Sequence, residues 1–191
     1  MKRIAIVALT ALTAGLGLPA FAAPETYVVE GTHTYPSFSY THLGFSTQQS
    51  KFDKTTGKIT IDRAAKTGSL DVSIDTKSVN TGYDVFNGHL MGDGYFDVEK
   101  FPTITFKSNT FKFDGDKPVS ITGDLTIKGI TKPVTLAVTS FNCAPHPFTK
   151  KEVCGANANT KIKRSEFNAG KNAPAVSDEV TLNIVVEAVK E

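Results

Sequence analysis

The chain is sparing with the residues that carry most enzyme chemistry. Its 191 residues include two cysteines, four histidines, two methionines and no tryptophan, and arginine stands only at positions 3, 63 and 164. No G-x-S-x-G, H-E-x-x-H or P-loop pattern occurs, so the usual hydrolase, zinc-peptidase and nucleotide-loop signatures are missing. His33, His42, His89 and His146 match no metal spacing, since helical zinc pairs sit at i and i+4 and finger sites need close Cys or His pairs. The acids Asp71, Asp75, Asp124 and Glu187 fall on the solvent side of their segments, which leaves no paired carboxylates. The expectation is a protein without catalytic residues, metal or cofactor.

An excess of charge is missing too. Lys and Arg number 21 against 19 acids, and two of the basic residues, Lys2 and Arg3, belong to a removable leader. The remainder balances, which argues against nucleic acid as a partner, because that needs a concentrated basic footprint. The leader reads Met1-Lys2-Arg3, an apolar run from Ile4 to Leu18, then Ala20-Phe21-Ala22, the pattern of an export signal. Cleavage after Ala22 leaves residues 23–191. The run is too short for a membrane span and nothing later restarts one. Apolar content of 40% beside 21% charge excludes disorder. Cys143 and Cys154 are too far apart for a thioredoxin-like redox motif. In an exported chain an isolated pair is expected to form a disulfide.

What is present is period two. Leu70, Val72 and Ile74 alternate with polar residues, as do Val119 to Ile127, Val134 to Val138 and Val180 to Ala188, with shorter cases at Ile59/Ile61, Ile104/Phe106 and Phe111/Phe113. Such alternation predicts antiparallel strands with one apolar and one wet face. Thr56-Gly57, Thr67-Gly68, Asp114-Gly115-Asp116 and Lys128-Gly129 are the turn signals between them. About eight strands at this spacing predict a closed barrel or a sandwich. From Thr81 to Gly92 the spacing of Tyr83, Phe86 and Leu90 is helical, with Thr81 as N-cap and Gly92 and Gly94 as terminators. Asn142 to Asn159, with Pro145 and Pro147, reads as a long irregular stretch. The chain has 13 Phe and five Tyr, which either fill a core or wall an apolar cavity, because a barrel of this size can do either.

Ser78-Val79-Asn80-Thr81, Asn87-Gly88-His89-Leu90, Tyr95-Phe96-Asp97, the run from Phe101 to Ser108 and the run from Gly123 to Val134 together resemble YceI-like proteins. His42-Leu43-Gly44 and Arg164-Ser165-Glu166-Phe167 fit as well, and the segments keep the family's order over nearly all of residues 27–189. The resemblance implies an all-β fold, an extended antiparallel eight-stranded lipocalin-like barrel with one short helix near Thr81–Gly92. It further implies residence in the periplasm and a long isoprenoid chain in the lumen. Two departures stand out. Asn168 replaces a common Gly, and Val85-Phe86-Asn87-Gly88 replaces charged residues, so the lid is expected to be more apolar.

Parity and resemblance together nominate Phe38, Tyr40, Ile59, Ile61, Leu70, Val72, Phe86, Leu90, Phe96, Phe101, Ile104, Phe106, Leu125, Ile127 and Phe167 as lumen residues. His33, His42, Tyr40 and Arg164 are head-group candidates, with Arg164 alternatively paired to Glu166 or Asp97. Arg63, beside a turn, is assigned to solvent. The expected ligand is a polyprenyl quinone or polyprenyl phosphate held for transport, storage or sequestration, with the membrane as a transient lipid source and a homodimer left open. With so few arginines, a neutral quinone-like head is favoured. The competing readings are a filled barrel serving protein interaction or stress response, and an accessory to isoprenoid or quinone metabolism or electron transfer.

Overall fold

A strand shows successive side chains to opposite faces, so the alternating segments form strands once a common interior takes up their apolar members. The computed structural model describes residues 23–191; the export signal assigned to residues 1–22 lies outside them. The strands are β1 (Glu25–Val29), β2 (Ser37–His42), β3 (Ser46–Phe52), β4 (Thr55–Asp62), β5 (Thr67–Asp75), β6 (Val79–Asn80), β7 (Thr103–Asp114), β8 (Lys117–Ile127), β9 (Ile130–Pro145), β10 (Glu152–Lys163) and β11 (Glu179–Lys190). One helix, α1 (Asp84–Met91), follows β6.

Hydrogen-bonded neighbours run β1-β4-β5-β7-β8-β9-β10-β11, and Tyr27–Val29 of β1 close the ring on Ala188–Lys190 of β11. The result is a closed eight-stranded antiparallel barrel. β11 is long enough to serve two partners. Its C-terminal end pairs with β1, and Thr181–Asn183 pair with β2, which carries β3 and β6 beyond it. Between these partners the chain crosses at residues 30–36, where the Glu30 and Tyr35 amides donate to Glu187 and Val185 carbonyls at 2.9 and 3.1 Å. This two-part pairing lengthens the barrel.

The outer wall is charged. Lys107 meets Asp71 at 2.9 Å and Lys161 meets Glu179 at 2.7 Å, both across neighbouring strands. A transmembrane barrel shows the reverse arrangement, apolar outside and polar within. Among the described residues no helix is long and apolar enough to cross a membrane.

Three local expectations are corrected. Thr56-Gly57 is not a turn but lies inside β4; a Cβ on Gly57 would come 2.4 Å from the Asp71 carbonyl oxygen, so glycine permits close approach of β5. Asn142–Asn159 is mostly a hairpin of β9 and β10, irregular only around its tip. Asn157, Asn159 and Lys161 face outward while Ala156 and Ala158 face inward, an alternation of small against polar residues that hydrophobicity does not register. Cys143 and Cys154 stand opposite one another in this hairpin and form a disulfide. Helix α1 starts later than Thr81, with Tyr83 at the N-cap position. Thr81 holds the entry instead, its amide and hydroxyl both donating to the Asn87 side-chain oxygen at 2.8 Å.

Candidate functional site

The inward parity of the strands leaves a cavity of about 410 Å³. Leu70 and Val72 of β5, Ile104 and Phe106 of β7, and Leu125 and Ile127 of β8 build one side of its wall. Opposite, β10 contributes Gly155, Ala156 and Ala158, and these small residues leave the space that bulky ones would fill. Helix α1 lays Phe86 and Leu90 over one end. There Phe38, Phe52 and Phe96 pack with ring centroids 5.2–5.8 Å apart, edge-on or tilted, a geometry aromatic pairs prefer.

The same end carries the polar border. His42, His89, Tyr95, Arg164, Asn172 and Val176 all line the cavity. Arg164 donates through Nε to Ser177 O at 2.8 Å and through Nη2 to Val176 O at 2.7 Å. Its Nη1 donates to both Ala169 O and Lys171 O at 2.7 Å. Four of the five guanidinium N–H groups are thus committed to backbone carbonyls, and the segment after Phe167 wraps around the side chain. Asn172 Nδ2 donates to Tyr95 Oη at 3.0 Å, which leaves the phenolic proton of Tyr95 free for another acceptor. Burial raises the pKa of Tyr40, so its phenol stays neutral and can donate as well.

Residues 27–188 match the family model described as the YceI-like domain. The chain belongs to that family. Protein YceI of Escherichia coli O6:H1 is 36% identical over 173 residues, 90% of each chain. Among solved structures, BcnA of Burkholderia cenocepacia superposes with a TM-score of 0.72 at 28% identity, over 84% of this chain and 99% of that one. The Campylobacter jejuni YceI protein does so with a TM-score of 0.68 at 32% identity, over 79% and 90%. A polyisoprenoid-binding domain from Saccharophagus degradans shares the fold at 18% identity, with a TM-score of 0.64 over 86% and 98%.

In this YceI-like barrel every nominated lumen residue but Phe101 faces the cavity. Phe101 precedes β7 and lies outside the strand's parity; its ring packs on the β8–β9 turn at Gly129, and its carbonyl accepts the Thr76 hydroxyl at 2.8 Å. Of the head-group candidates, Tyr40, His42 and Arg164 line the lumen and His33 does not. The His33 side chain is 67% exposed, with Nδ1 2.7 Å from Glu30 Oε2. That carboxylate also accepts the Thr32 hydroxyl and amide at 2.6 and 3.0 Å, and these bonds, led by the hydroxyl, hold the pKa of Glu30 at about 2. Arg164 pairs with neither Glu166 nor Asp97: backbone carbonyls take the place of the expected acid. Asn168 holds a left-handed φ of 53°, a conformation asparagine tolerates better than most residues.

The far end carries a second polar cluster, and Arg63 belongs to it rather than to solvent. Arg63 Nη2 donates to Tyr27 Oη at 2.9 Å and to Glu152 Oε1 at 3.1 Å. Tyr27 is 1% exposed, and its single phenolic proton is shared between the Glu25 and Glu152 carboxylates. Burial, followed by these bonds, raises the Tyr27 pKa. Cys154 and Ala188 pack against Tyr27, so ion pairs, a phenol and the disulfide together form the floor.

Sequence reasoning missed several lining residues. Val134, Leu136 and Val138 carry the right parity and could have been nominated by it. Tyr95 and Asn172 lie in irregular segments where no periodicity exists to read. Thr55 also lines the cavity, 3% exposed, its hydroxyl without a hydrogen-bond partner.

Proposed function

We propose that this protein is an exported carrier that holds a long-chain isoprenoid lipid in its lumen, with residues 23–191 as the mature periplasmic barrel. The observation that carries the reading is the lumen itself. Its volume falls within the 300–1,000 Å³ typical of small-molecule sites, and its wall is aliphatic and aromatic from the floor to the border. The leader and the disulfide support export. The name of the Saccharophagus degradans domain, which shares the fold, supports the ligand class. Each buried isoprene unit contributes about 3–4 kcal/mol relative to water. A bilayer offers the same burial, so retention by the protein rests on shape and on the head group.

The head we favour is neutral and quinone-like. A pyrophosphate would need Arg164, four of whose five N–H donors are already bonded to Ala169, Lys171, Val176 and Ser177 carbonyls. A quinone carbonyl needs one or two neutral donors, and Tyr95, Tyr40 and His42 stand at the border to supply them. Native mass spectrometry of protein purified from the periplasm, with organic extraction, tests this. The expected result is a mass increment that extracts as a polyprenyl quinone, with short-chain quinone affinity nearly flat from low to high salt. A lumen free of lipid, or tighter binding of polyprenyl pyrophosphate with an advantage that collapses in salt, would overturn it.

A further inference from the structure

We propose that the α1 end of the barrel is its mouth and that the rim there is a docking surface for a phospholipid bilayer, entered by two neighbouring apolar prongs carried by the β2-β3-β6 extension. The first prong is the β2–β3 turn, where Phe45 is 86% and Leu43 50% exposed. The second is the start of α1, where Tyr83 is 65% and Val85 58% exposed. Each prong adjoins a lumen residue in sequence: His42 precedes Leu43, and Phe86 follows Val85. The chain turns from wall to rim within one residue at both prongs, so the apolar rim lies directly outside the polar border of the lumen.

The topology puts both prongs at one end. β2 pairs antiparallel with β11, whose Thr181 faces Ser39, and His42 bridges Val176 ahead of the start of β11. The turn therefore projects past the barrel edge, beside the Arg164 loop. β6 leaves β3 in the same direction, with Asn80 opposite Lys51, and delivers Tyr83 to that edge.

Leu43 supplies an independent argument. Leu43 and Gly44 both have positive φ, 51° and 75°, and the Phe45 amide donates to His42 O at 2.9 Å. This is a β-turn whose two central residues both lie at positive φ, a geometry that favours Asn or Asp followed by Gly. Among the described residues with positive φ outside glycine, Leu43 is the one apolar side chain; the others are Lys, Asp and Asn. Leucine is the wrong residue for the turn and for water, and it is the right one for hydrocarbon.

A bilayer suits this surface better than a protein does. Stable protein contacts require roughly 1,000 Å² of complementary area, whereas separated prongs insert into a fluid without matching its shape. The proposal rests on the carrier reading, because an isoprenoid that lives in the bilayer reaches a docked mouth without crossing water. The opposite end supplies a control: Phe148, 87% exposed at the β9–β10 tip, does not line the cavity.

The chain contains no tryptophan, so Phe45→Trp and Phe148→Trp each introduce a lone indole reporter. The probe is phosphatidylcholine vesicles with brominated acyl chains and no isoprenoid. The expected result is blue-shifted, bromine-quenched emission for Phe45→Trp, insensitive to salt, and no change for Phe148→Trp. In vesicle sedimentation, Leu43→Asn with Phe45→Ser should lower partitioning on the order of tenfold or more. Leu43→Asn alone should keep or raise the melting temperature, which separates lost docking from lost folding. Emission unchanged by vesicles, equal for both reporters, or blue-shifted by raising protein concentration without lipid would overturn the proposal. If the purified protein carries an isoprenoid while the indole at position 45 stays wet, docking fails and the carrier reading stands. If it docks yet never takes up isoprenoid, docking stands and the carrier reading fails.

Discussion

Filling the lumen from one of its small wall residues separates a cavity from a packed core by the sign of the stability change. Ala158 lines the cavity in mid-β10, flanked across the strands by Val138 and Ile184, which line it too. In Ala158→Phe the new ring enters the lumen and buries about 100 Å² of additional apolar surface, worth about 2.5 kcal/mol. Ordering the side chain costs about 0.5–1 kcal/mol. The net gain of about 1.5–2 kcal/mol raises the melting temperature of the delipidated protein by about 3–8 °C for a domain of this size. Lipid occupancy should fall at the same time, because ring and isoprenoid compete for one space. Delipidated wild type and variant are compared by thermal unfolding, and occupancy is read by native mass spectrometry. In a solid core the same substitution overpacks and costs about 1–3 kcal/mol. A lower melting temperature with unchanged occupancy would therefore refute the lumen.

Three further outcomes are expected. Arg164→Ala removes four hydrogen bonds from a charged group to backbone carbonyls, and hydrogen exchange should show residues 169–177 opening, with a loss of about 3–5 kcal/mol; if protection is unchanged, the guanidinium does not organise this loop. The Cys143–Cys154 bridge should resist thiol labelling in unreduced, unfolded protein, and Cys143→Ala with Cys154→Ala should cost about 3 kcal/mol; labelling of both thiols would contradict the disulfide. Glu30 has a folded pKa of about 2 against 4.5 for the free group, so its bonds to Thr32 stabilise fully above pH 4.5 and are lost as pH falls towards 2. Glu30→Gln should flatten the acid limb of a stability–pH curve by about 1 kcal/mol after solvent screening; an unchanged limb would contradict that pairing.

Local chemistry was enough to determine the strands whose large apolar residues alternate with polar ones, and which way their side chains point. Leu70/Val72, Ile104/Phe106 and Leu125/Ile127 announce an inward face because a two-residue period needs no tertiary information. Parity, however, ends where the strand ends. Phe101, one residue before Pro102 and two before β7, turns to Gly129, and His33 in a short 3-10 turn is drawn to Glu30 instead of the lumen. The β9–β10 hairpin was hidden because Ala156 and Ala158 are too small to stand out against Asn157 and Asn159, yet that smallness keeps the lumen open. Arg63 and Arg164 show what only the tertiary structure decided. Each needs partners far along the chain or on a looping backbone, Tyr27 and Glu152 for one and the 169–177 carbonyls for the other. An arginine fork binds whatever acceptors three dimensions bring to it. The sequence shows that the fork exists; the fold of the chain around it selects the acceptors.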